Sequence, residues 1–316
     1  MQDIELASEL QVFKKKMKLM GNQFEISIVD ENQANADEKI QLAINEIKRI
    51  EQLLTTFKPD SQTNHINDYA GISPVKVDAE VFHLIQRSLR ISEISQGAFD
   101  ITYGSLDKSL WNFDINMTAL PDSQTAKKSV SLINYKNVIL DPEVKTVFLK
   151  EKGMRIGFGG IGKGYAADRA KKVLQEAGVA NGIVNASGDL VTWGEQPNSK
   201  PWTVGIADPS RKSQPFSYLN ISNMAIATSG NYEKYAVVNG KKYSHTIDPH
   251  TGLPVSGIKS VSIICPQAEL ADALATPVTV MGVEVGLDLI NQLNNVACII
   301  IDENDRLFTS KNIEIK

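Results

Sequence analysis

A glycine-rich run, GFGGIGKGY at 157–165, has the composition of a loop that binds phosphate. Backbone N–H groups at the start of a helix attract anions, and Lys163 would add a positive charge beside them. Gly164 stands where a Walker A loop needs Ser or Thr, and no acidic residue follows where a Rossmann fold holds its ribose. The same glycines suit a tight turn that packs a helix on a sheet. The loop alone therefore leaves a phosphate site and a structural turn as alternatives.

A second run, YSHTIDPHTG at 243–252, places His245 at the end of a predicted strand. Asp-Pro and Thr-Gly pairs are typical of turns, so Asp248 is expected in the turn that follows. The ordinary pKa of a histidine is close to neutral pH, which would let His245 accept a proton from a hydroxyl group. A histidine that only caps the turn is the structural alternative.

Three further pairs of polar residues have spacings that suit a site. Asp272 and Thr276 are four residues apart, so on a helix they would face the same side and offer two oxygen ligands to a hard cation. Asp100 and Thr102 would point to one side of an extended segment. The hydroxyl-rich run ATSGNY (227–232), which contains Thr228 and Ser229, suits phosphate or ribose oxygens. Surface, capping or turn roles would explain each of these groups as well.

The elements that must position these residues follow from the hydrophobic periodicity. Alternation through 21–30 indicates a half-buried strand, and further strand-like runs lie at 182–194, 202–209, 223–230, 242–249, 261–266 and 296–302. Helical spacing predicts helices over 37–54, 81–94, 166–177, 268–281 and 284–293, with Pro277 expected to kink or end the fourth. The irregular order of strands and helices predicts an α+β fold, a single compact unit with a mixed, largely antiparallel sheet and flanking helices.

The segments between these elements carry weaker expectations. Residues 1–20 are expected to form a lead-in helix or tail before a domain that spans 21–316. Residues 55–70 are polar and rich in turn formers, and two apolar runs around Asp141-Pro142 predict a hairpin-like stretch within 114–152.

The composition is that of an ordinary globular protein, with 42% hydrophobic and 22% charged residues and a net charge of −4 over 316 residues. This charge argues against nucleic acid as the main partner, and the lysine run at 14–18 is expected to be a solvated face. No apolar run reaches the roughly 18 residues of a membrane helix, and no apolar core of a signal peptide follows the lysines. Cys265 and Cys298 lie in apolar runs and are expected to be buried thiols, although their pairing stays open.

Eight motifs, in this order, resemble the ApbE family of FAD:protein FMN transferases over about residues 20–280. Each motif is weak alone, and their shared order makes the resemblance specific. The motifs are Met20-Gly21, Thr56-Phe57, Gly97 to Thr102 with Leu110-Trp111, Gly159 to Asp168, Val184 to Asp189, Ala227 to Tyr232, His245 to Pro254, and Asp272 to Thr276.

The resemblance implies an ApbE-like (T-fold-like) fold and a Mg²⁺-dependent transfer of FMN from FAD to a Ser or Thr hydroxyl of an acceptor flavoprotein, with release of AMP. By the same resemblance, Asp272 and Thr276 would hold Mg²⁺ together with the backbone carbonyl of Gly162. His245 would deprotonate the acceptor hydroxyl. The FAD site would be formed by the remaining motif residues, namely Met20, Asp100, Thr102, Lys163, Asp189, Thr228, Ser229 and Asp248.

Several positions depart from the family pattern without removing a proposed ligand or base. Ser187 stands where the family usually has a glycine, and its Cβ could oppose a positive φ there. The other departures are Asn22 for Thr, Ser105 for Pro, Gly162 for Ala and Asn231 for Asp.

Three other functions stay open at this point. The first is a hydrolase that cleaves FAD to FMN and AMP with water, and the second is a flavin-binding protein without catalysis. The third is a protein that shares the fold but has no role with flavins. The compartment is open too, because the family is often exported and no signal is recognisable here.

Overall fold

The computed structural model describes residues 10–110, 119–207, 215–230, 235–238 and 241–313. Within these ranges the α-helices are α1 (Gln33–Leu54), α2 (Gln62–Asp68), α3 (Ala79–Ile94), α4 (Ser123–Ser129), α5 (Gly162–Glu176), α6 (Ala268–Met281) and α7 (Val283–Asn291). The strands are β1 (Gln11–Leu19), β2 (Asn22–Asp30), β3 (Val75–Lys76), β4 (Val138–Asp141), β5 (Thr146–Leu149), β6 (Gly182–Ala186), β7 (Asp189–Trp193), β8 (Trp202–Ala207), β9 (Pro215–Ile221), β10 (Ala225–Gly230), β11 (Tyr235–Val238), β12 (Lys241–Ser244), β13 (Ile258–Cys265), β14 (Ala297–Asp302) and β15 (Leu307–Thr309). Short 3-10 helices lie at Ile101–Ser105, Lys108–Leu110 and Tyr135–Asn137.

Eight strands form one large sheet in the order β1-β2-β6-β7-β10-β13-β14-β15. Smaller sheets have the orders β3-β5-β4, β8-β9 and β11-β12. Each strand pairing that the structure describes is antiparallel. The large antiparallel sheet and its helices confirm the predicted α+β class.

The large sheet is covered by helices on one face and by the β8–β9 hairpin on the other. Successive residues of a strand point to opposite faces, so Val191 packs in the core beneath the helices while Leu190 packs beneath the hairpin. Helix α5 lies between α1 and α6 and contacts both, and each of the three helices contacts the sheet. Helix α1 buries Ile40, Ile44 and Ile47 at helical spacing, and each fully buried side chain of this size contributes about 1.5–3 kcal/mol. This packing fixes α5 and α6, which carry most of the predicted site.

Two tight hairpin turns lie side by side at one end of the large sheet. Met20 and Gly21 connect β1 to β2, and Ser187 and Gly188 connect β6 to β7. All four residues have positive φ, as a two-residue type I′ turn requires. Because β2 runs antiparallel to β6, the start of β2 lies beside the end of β6. Ser187 adopts the left-handed conformation with φ of 57° and an exposed side chain, so its Cβ does not prevent the turn.

The expectation of a helix or tail before residue 21 is wrong for residues 11–19, which form β1 and pair with β2 along its whole length. Phe13, Met17 and Leu19 pack against the core, while the lysines at 14–16 and 18 are exposed. The lysine run obscured the alternation of apolar residues. Exposed lysines suit an edge strand, since they oppose pairing with another chain. The division of the chain at residue 20 stays a prediction.

Most predicted helices and strands are present with shifted ends, whereas α4, β9, β11 and β15 were not predicted. Helix α6 continues through Pro277 to Met281, so the proline does not end it. Helix α2 lies inside the segment expected to be only turns, because seven residues give too little periodicity to detect. The β4–β5 hairpin around Asp141-Pro142 is as predicted, although residues 114–118 of that stretch lie outside the described residues.

Two expectations from composition can be compared with the structure. Among the described helices, none has the length and apolar character needed to cross a membrane. Cys265 and Cys298 are buried free thiols, as expected, and burial raises the pKa of each to about 12.

Candidate functional site

A cavity of about 780 Å³ opens beside the β1–β2 turn. Ligand sites typically have volumes of roughly 300–1,000 Å³, so the cavity is large enough for a dinucleotide-sized group. Five of the predicted site residues lie in its wall, namely Met20, Asp100, Lys163, His245 and Thr276. Apolar side chains of Leu54, Phe99, Phe158 and Ile247 form other parts of the wall.

The first turn of α5 packs backbone to backbone on α6. A Cβ at Gly164 would lie 2.1 Å from the carbonyl oxygen of Ala268 and 2.8 Å from the Cβ of Asp272, so this position requires glycine. The Gly164 N–H donates a hydrogen bond of 3.0 Å to Asp272 Oδ2. At Gly160, a Cβ would lie 3.9 Å from Thr276 Oγ1, so the glycine run passes close to the Asp272–Thr276 face of α6. The glycines therefore allow close helix packing, and the same packing brings the predicted metal ligands to the loop.

Lys163 lies between two buried carboxylates. Its Nζ forms an ion pair with Asp189 Oδ2 and lies 3.7 Å from Asp272 Oδ1. The side chains of Asp189 and Asp272 are only 4% and 8% exposed, so each charge needs a partner. Asp189 lies outside the cavity wall, and its connection to the site runs through Lys163. In this structure the Lys163 ammonium group neutralises these two carboxylates. The predicted role of Lys163 in binding phosphate stays a prediction.

The groups around Asp272 and Thr276 fit a magnesium ion that shares its coordination with a substrate. Asp272 offers a carboxylate and Thr276 a hydroxyl group, both oxygen ligands on one helix face, and the glycine run passes close to that face. Within the described ranges, no three His, Cys, Asp or Glu side chains cluster as a metal site. Mg²⁺ commonly uses one or two carboxylates and completes its shell with phosphate oxygens and water. Gly162 is the first residue of α5 and is buried near Met20, and its role as a carbonyl ligand stays a prediction.

Asp100 borders the cavity, but both of its carboxylate oxygens bind groups of the surrounding chain. Oδ1 accepts hydrogen bonds from the N–H and hydroxyl of Thr102 at 2.8 and 2.6 Å, and Oδ2 accepts one from the Tyr135 N–H at 2.8 Å. Thr102 is buried, and its Oγ1 accepts the Asn134 N–H. Burial raises the pKa of the Asp100 carboxyl group. The pair holds the 3-10 helix at Ile101–Ser105 in place, and its role in flavin binding stays a prediction.

His245 follows β12 directly, and its exposed side chain borders the cavity. The turn that contains it is closed by two backbone hydrogen bonds, from Ser244 N–H to Val255 O and from Val255 N–H to Thr246 O, at 3.1 and 3.0 Å. The turn is also attached to the opposite wall, because the Ile247 N–H donates to the Tyr103 hydroxyl at 3.2 Å. His245 therefore projects from a well-supported turn toward the space that a substrate would fill.

Asp248 shapes the same turn and lies outside the cavity wall. Its Oδ1 accepts the His250 N–H at 2.8 Å, and its Oδ2 accepts the Thr251 hydroxyl at 3.0 Å. His250 Nε2 lies 2.9 Å from the carbonyl oxygen of Gln96 and ties the turn to the end of α3. Asp248 thus supports His245 through the backbone, and its predicted contact with flavin stays a prediction.

Thr228 and Ser229 lie near the end of β10, outside the cavity wall. The hydroxyl of Thr228 lies 2.8 Å from that of Ser262 on β13. Their role in the FAD site stays a prediction. Asn231 and Tyr232 of the same motif, and Trp111 of the earlier one, lie outside the described residues.

Other residues, which the sequence motifs did not indicate, build the outer part of the cavity. Arg155 borders it, and its guanidinium donates a hydrogen bond of 3.0 Å to Asn64 Oδ1 on α2. The amide of Asn64 donates in turn to the carbonyls of Thr56 and Lys58. Phe57, considered before only as part of a motif, is 95% exposed at the cavity mouth. The available signal in the sequence was Asn64 and Asn67, three residues apart on α2. Their spacing indicates a role at the cavity only once the fold is known.

Two departures from the family pattern have local structural roles. The Asn22 side chain donates to the carbonyl of Met20 at 2.9 Å and so supports the β1–β2 turn. Ser105 Oγ accepts the Arg155 N–H at 2.8 Å and donates to the Arg155 carbonyl.

Known proteins resemble this chain in sequence and in fold. The model of the ApbE family matches residues 20–300. A curated FAD:protein FMN transferase from Klebsiella pneumoniae (strain 342) is 32% identical over 305 residues, which cover 96% of this chain and 93% of that protein. A protein of the same name from Treponema pallidum (strain Nichols) is 31% identical over 282 residues, or 84% of this chain and 78% of its own. The crystal structure of the ApbE protein from Thermotoga maritima has a TM-score of 0.85 at 30% identity and covers 95% of this chain and 97% of its own.

Proposed function

The chain belongs to the ApbE family, and on this premise we propose that it transfers FMN from FAD to a Ser or Thr hydroxyl of an acceptor protein and releases AMP in a Mg²⁺-dependent reaction. The curated relatives carry the name FAD:protein FMN transferase. The observation that carries the proposal is one cavity whose wall contains Thr276, Lys163 and His245, with Asp272 directly behind it.

The reaction requires one proton transfer and one displacement at phosphorus. The acceptor oxygen attacks the phosphorus on the FMN side of the diphosphate, and the P–O bond to the AMP side breaks with its electron pair. The hydroxyl proton passes to His245, the only histidine in the described cavity wall. General-base assistance of this kind is typically worth about 10²–10⁴-fold in rate.

The inner end of the cavity is suited to the charge of the diphosphate. A bound Mg²⁺ would neutralise charge on the phosphate oxygens and stabilise the leaving group. Asp272 and Thr276 would hold this ion, and the Gly164 N–H keeps the Asp272 carboxylate oriented. Lys163 keeps a positive charge next to Asp272 and so reduces its repulsion of the substrate phosphates.

The apolar part of the wall favours transfer to a protein over hydrolysis. Phe99, Phe158 and Ile247 offer surface against which a flat ring system can pack. A ring held there would displace water from the apolar part of the cavity, because apolar walls provide no hydrogen bonds to retain it. The hydroxyl of an acceptor that closes the mouth then becomes the better placed nucleophile.

The direct test is to incubate the protein with FAD, Mg²⁺ and a peptide that carries Ser or Thr, and to read the peptide by intact mass. A mass increase equal to FMN supports the proposal. Release of FMN and AMP without an adduct would identify a hydrolase. Unchanged but bound FAD would identify a flavin-binding protein, and the absence of any FAD-induced shift in Tm would exclude a role with flavins.

Two variants separate the metal from the base. Asp272→Ala is expected to abolish Mg²⁺ binding together with most transfer, whereas His245→Ala is expected to abolish transfer and retain FAD binding. Asp288→Ala on α7 and His83→Ala on α3 are matched controls, because both side chains are exposed and lie outside the cavity wall. Normal Mg²⁺-dependent transfer by Asp272→Ala would contradict the metal role.

A further inference from the structure

Helix α6, which carries Asp272 and Thr276, begins without a cap from its own preceding residue. Its first residue is Ala268, and Gln267 before it has the extended backbone of an N-cap position, with φ of −123° and ψ of 128°. Among the described residues, the Gln267 side chain caps none of the helix N–H groups. The first N–H groups of a helix have no partner within it, so a partner must come from elsewhere.

Asp168 on α5 supplies that partner. Its Oδ1 accepts the Ala268 N–H at 3.0 Å and its Oδ2 accepts the Glu269 N–H at 2.9 Å, across 100 residues of sequence. Asp168 lies four residues after Gly164, on the same face of α5. The Gly164 N–H binds Asp272 one turn further along α6. Two successive turns of α5 are therefore joined to two successive turns of α6.

We propose that Asp168 is a positioning residue for the metal site: its carboxylate joins the start of α6 to α5 and so fixes Asp272 and Thr276 relative to Lys163 and the glycine run. This inference rests on the proposed function, because it assumes that Asp272 and Thr276 bind Mg²⁺. Asp168 touches neither the cavity nor the proposed metal ligands, and it acts through the placement of the helix.

The surroundings of Asp168 support a role beyond capping. A serine or aspartate at position 267 would cap α6 locally, since the backbone there already has the required conformation. The carboxylate comes instead from another helix, where it is half-buried among Glu269 of α6, Lys171 of α5, Arg87 of α3 and Cys265 of β13. Burial raises the pKa of Asp168 to about 6, which means that its environment disfavours the charged carboxylate.

The test is the affinity for Mg²⁺, measured by calorimetry on the protein with FAD bound. Asp168→Asn keeps the shape of the side chain but presents an N–H₂ group to one of the two helix N–H groups. We expect Mg²⁺ to bind roughly 10–100-fold more weakly, the usual effect of losing an outer residue that orients ligands, while FAD affinity is unchanged. Asp122→Asn is the control for a local cap, because Asp122 directly precedes α4 and its Oδ1 accepts two N–H groups of that helix at 3.0 Å, outside the cavity wall.

A second variant separates positioning from helix capping. Adding Gln267→Ser to Asp168→Asn provides a local cap and is expected to restore the Tm without restoring Mg²⁺ affinity. Recovery of both in the double variant would overturn the proposal, because capping alone would then be sufficient. Wild-type Mg²⁺ affinity in Asp168→Asn would overturn it too. If the wild-type protein itself fails to bind Mg²⁺, the metal site of the proposed function is wrong, and this inference is wrong with it. If the wild-type protein and Asp168→Asn bind Mg²⁺ equally well, this inference alone is wrong.

Discussion

The inner and outer ends of the cavity are built in different ways. The inner end consists of the first two turns of α5 and α6, where Gly164 lies against the Ala268 backbone and Lys163 lies between two buried carboxylates. The outer end is the loop at residues 55–61, where Phe57 is 95% exposed and one side chain, Asn64, binds two loop carbonyls.

Because of this difference, the inner end should contribute to both stability and activity, whereas the outer end should contribute mainly to ligand recognition. At the inner end the groups proposed to bind metal and phosphate are also the contacts that hold two helices together, so most changes there should affect folding and activity together. At the outer end the exposed side chains contribute little to packing, so changes there should affect ligand binding alone. Four experiments test that contrast, in decreasing order of expected effect on stability.

Lys163→Met should cause the largest loss of stability. It removes the positive charge between Asp189 and Asp272, and an uncompensated buried charge costs about 3–5 kcal/mol. Denaturant unfolding at neutral pH measures the loss. The double variant Lys163→Met/Asp189→Asn should recover part of it, since one of the two stranded charges is then absent. Fully additive losses would show that Lys163 and Asp189 do not depend on each other.

Gly164→Ala should destabilise the protein by about 3 kcal/mol, at the upper end for overpacking, because the added Cβ meets backbone and not a movable side chain. Gly157→Ala, in the same glycine-rich segment, is the control. A Cβ there would have no neighbour within 4 Å, so its Tm should stay close to that of the wild-type protein. Equal melting temperatures for both variants would contradict the close packing of α5 on α6.

Asp168 should make stability depend on pH in an unusual direction. Its pKa is about 6 in the folded protein and about 3.9 in an unfolded chain, so between these values the folded state keeps a proton that the unfolded state has lost. Stability therefore falls as pH rises from about 4 through about 6, and this contribution has disappeared above about pH 7, where the carboxyl group is ionised in both states. The unfolding free energy of the wild-type protein minus that of Asp168→Asn should fall by roughly 2 kcal/mol across this window. A difference that is the same at every pH would show that Asp168 titrates normally.

Phe57→Ala should leave stability within about 0.5 kcal/mol of the wild-type value, because the side chain is almost fully exposed. The exposed ring at the cavity mouth is available to pack on a ligand, and such contacts are worth about 0.5–1.5 kcal/mol, or up to roughly tenfold in affinity. FAD and acceptor-peptide affinities measured beside the Tm would detect this. If Phe57→Ala lowered the Tm strongly and left both affinities unchanged, the outer end would contribute to stability and not to ligand binding, which would contradict the contrast between the two ends.

Much of the fold could be predicted because its signals are local. The long helices α1, α3, α5 and α6 have apolar spacing that extends over several turns, and Gly178 follows the end of α5 with the positive φ that such a cap adopts. Strand β1 is not recognisable from the sequence because its lysines interrupt the alternation, and only its pairing with β2 reveals the buried face. Helix α2 was too short to give a period of its own.

The residue types of the site and their order along the chain can be read without a structure, including the four-residue spacing of Asp272 and Thr276 that places both on one helix face. Tertiary structure decided which of these residues meet. It paired Lys163 with Asp189, joined Asp168 to the start of α6 and linked Arg155 to Asn64. Those partners are 26, 100 and 91 positions apart. The physical reason is that side-chain spacing within one helix or strand follows from backbone geometry, whereas contacts between elements depend on how closely they pack, as at Gly164, where the absence of a single Cβ brings α5 onto α6.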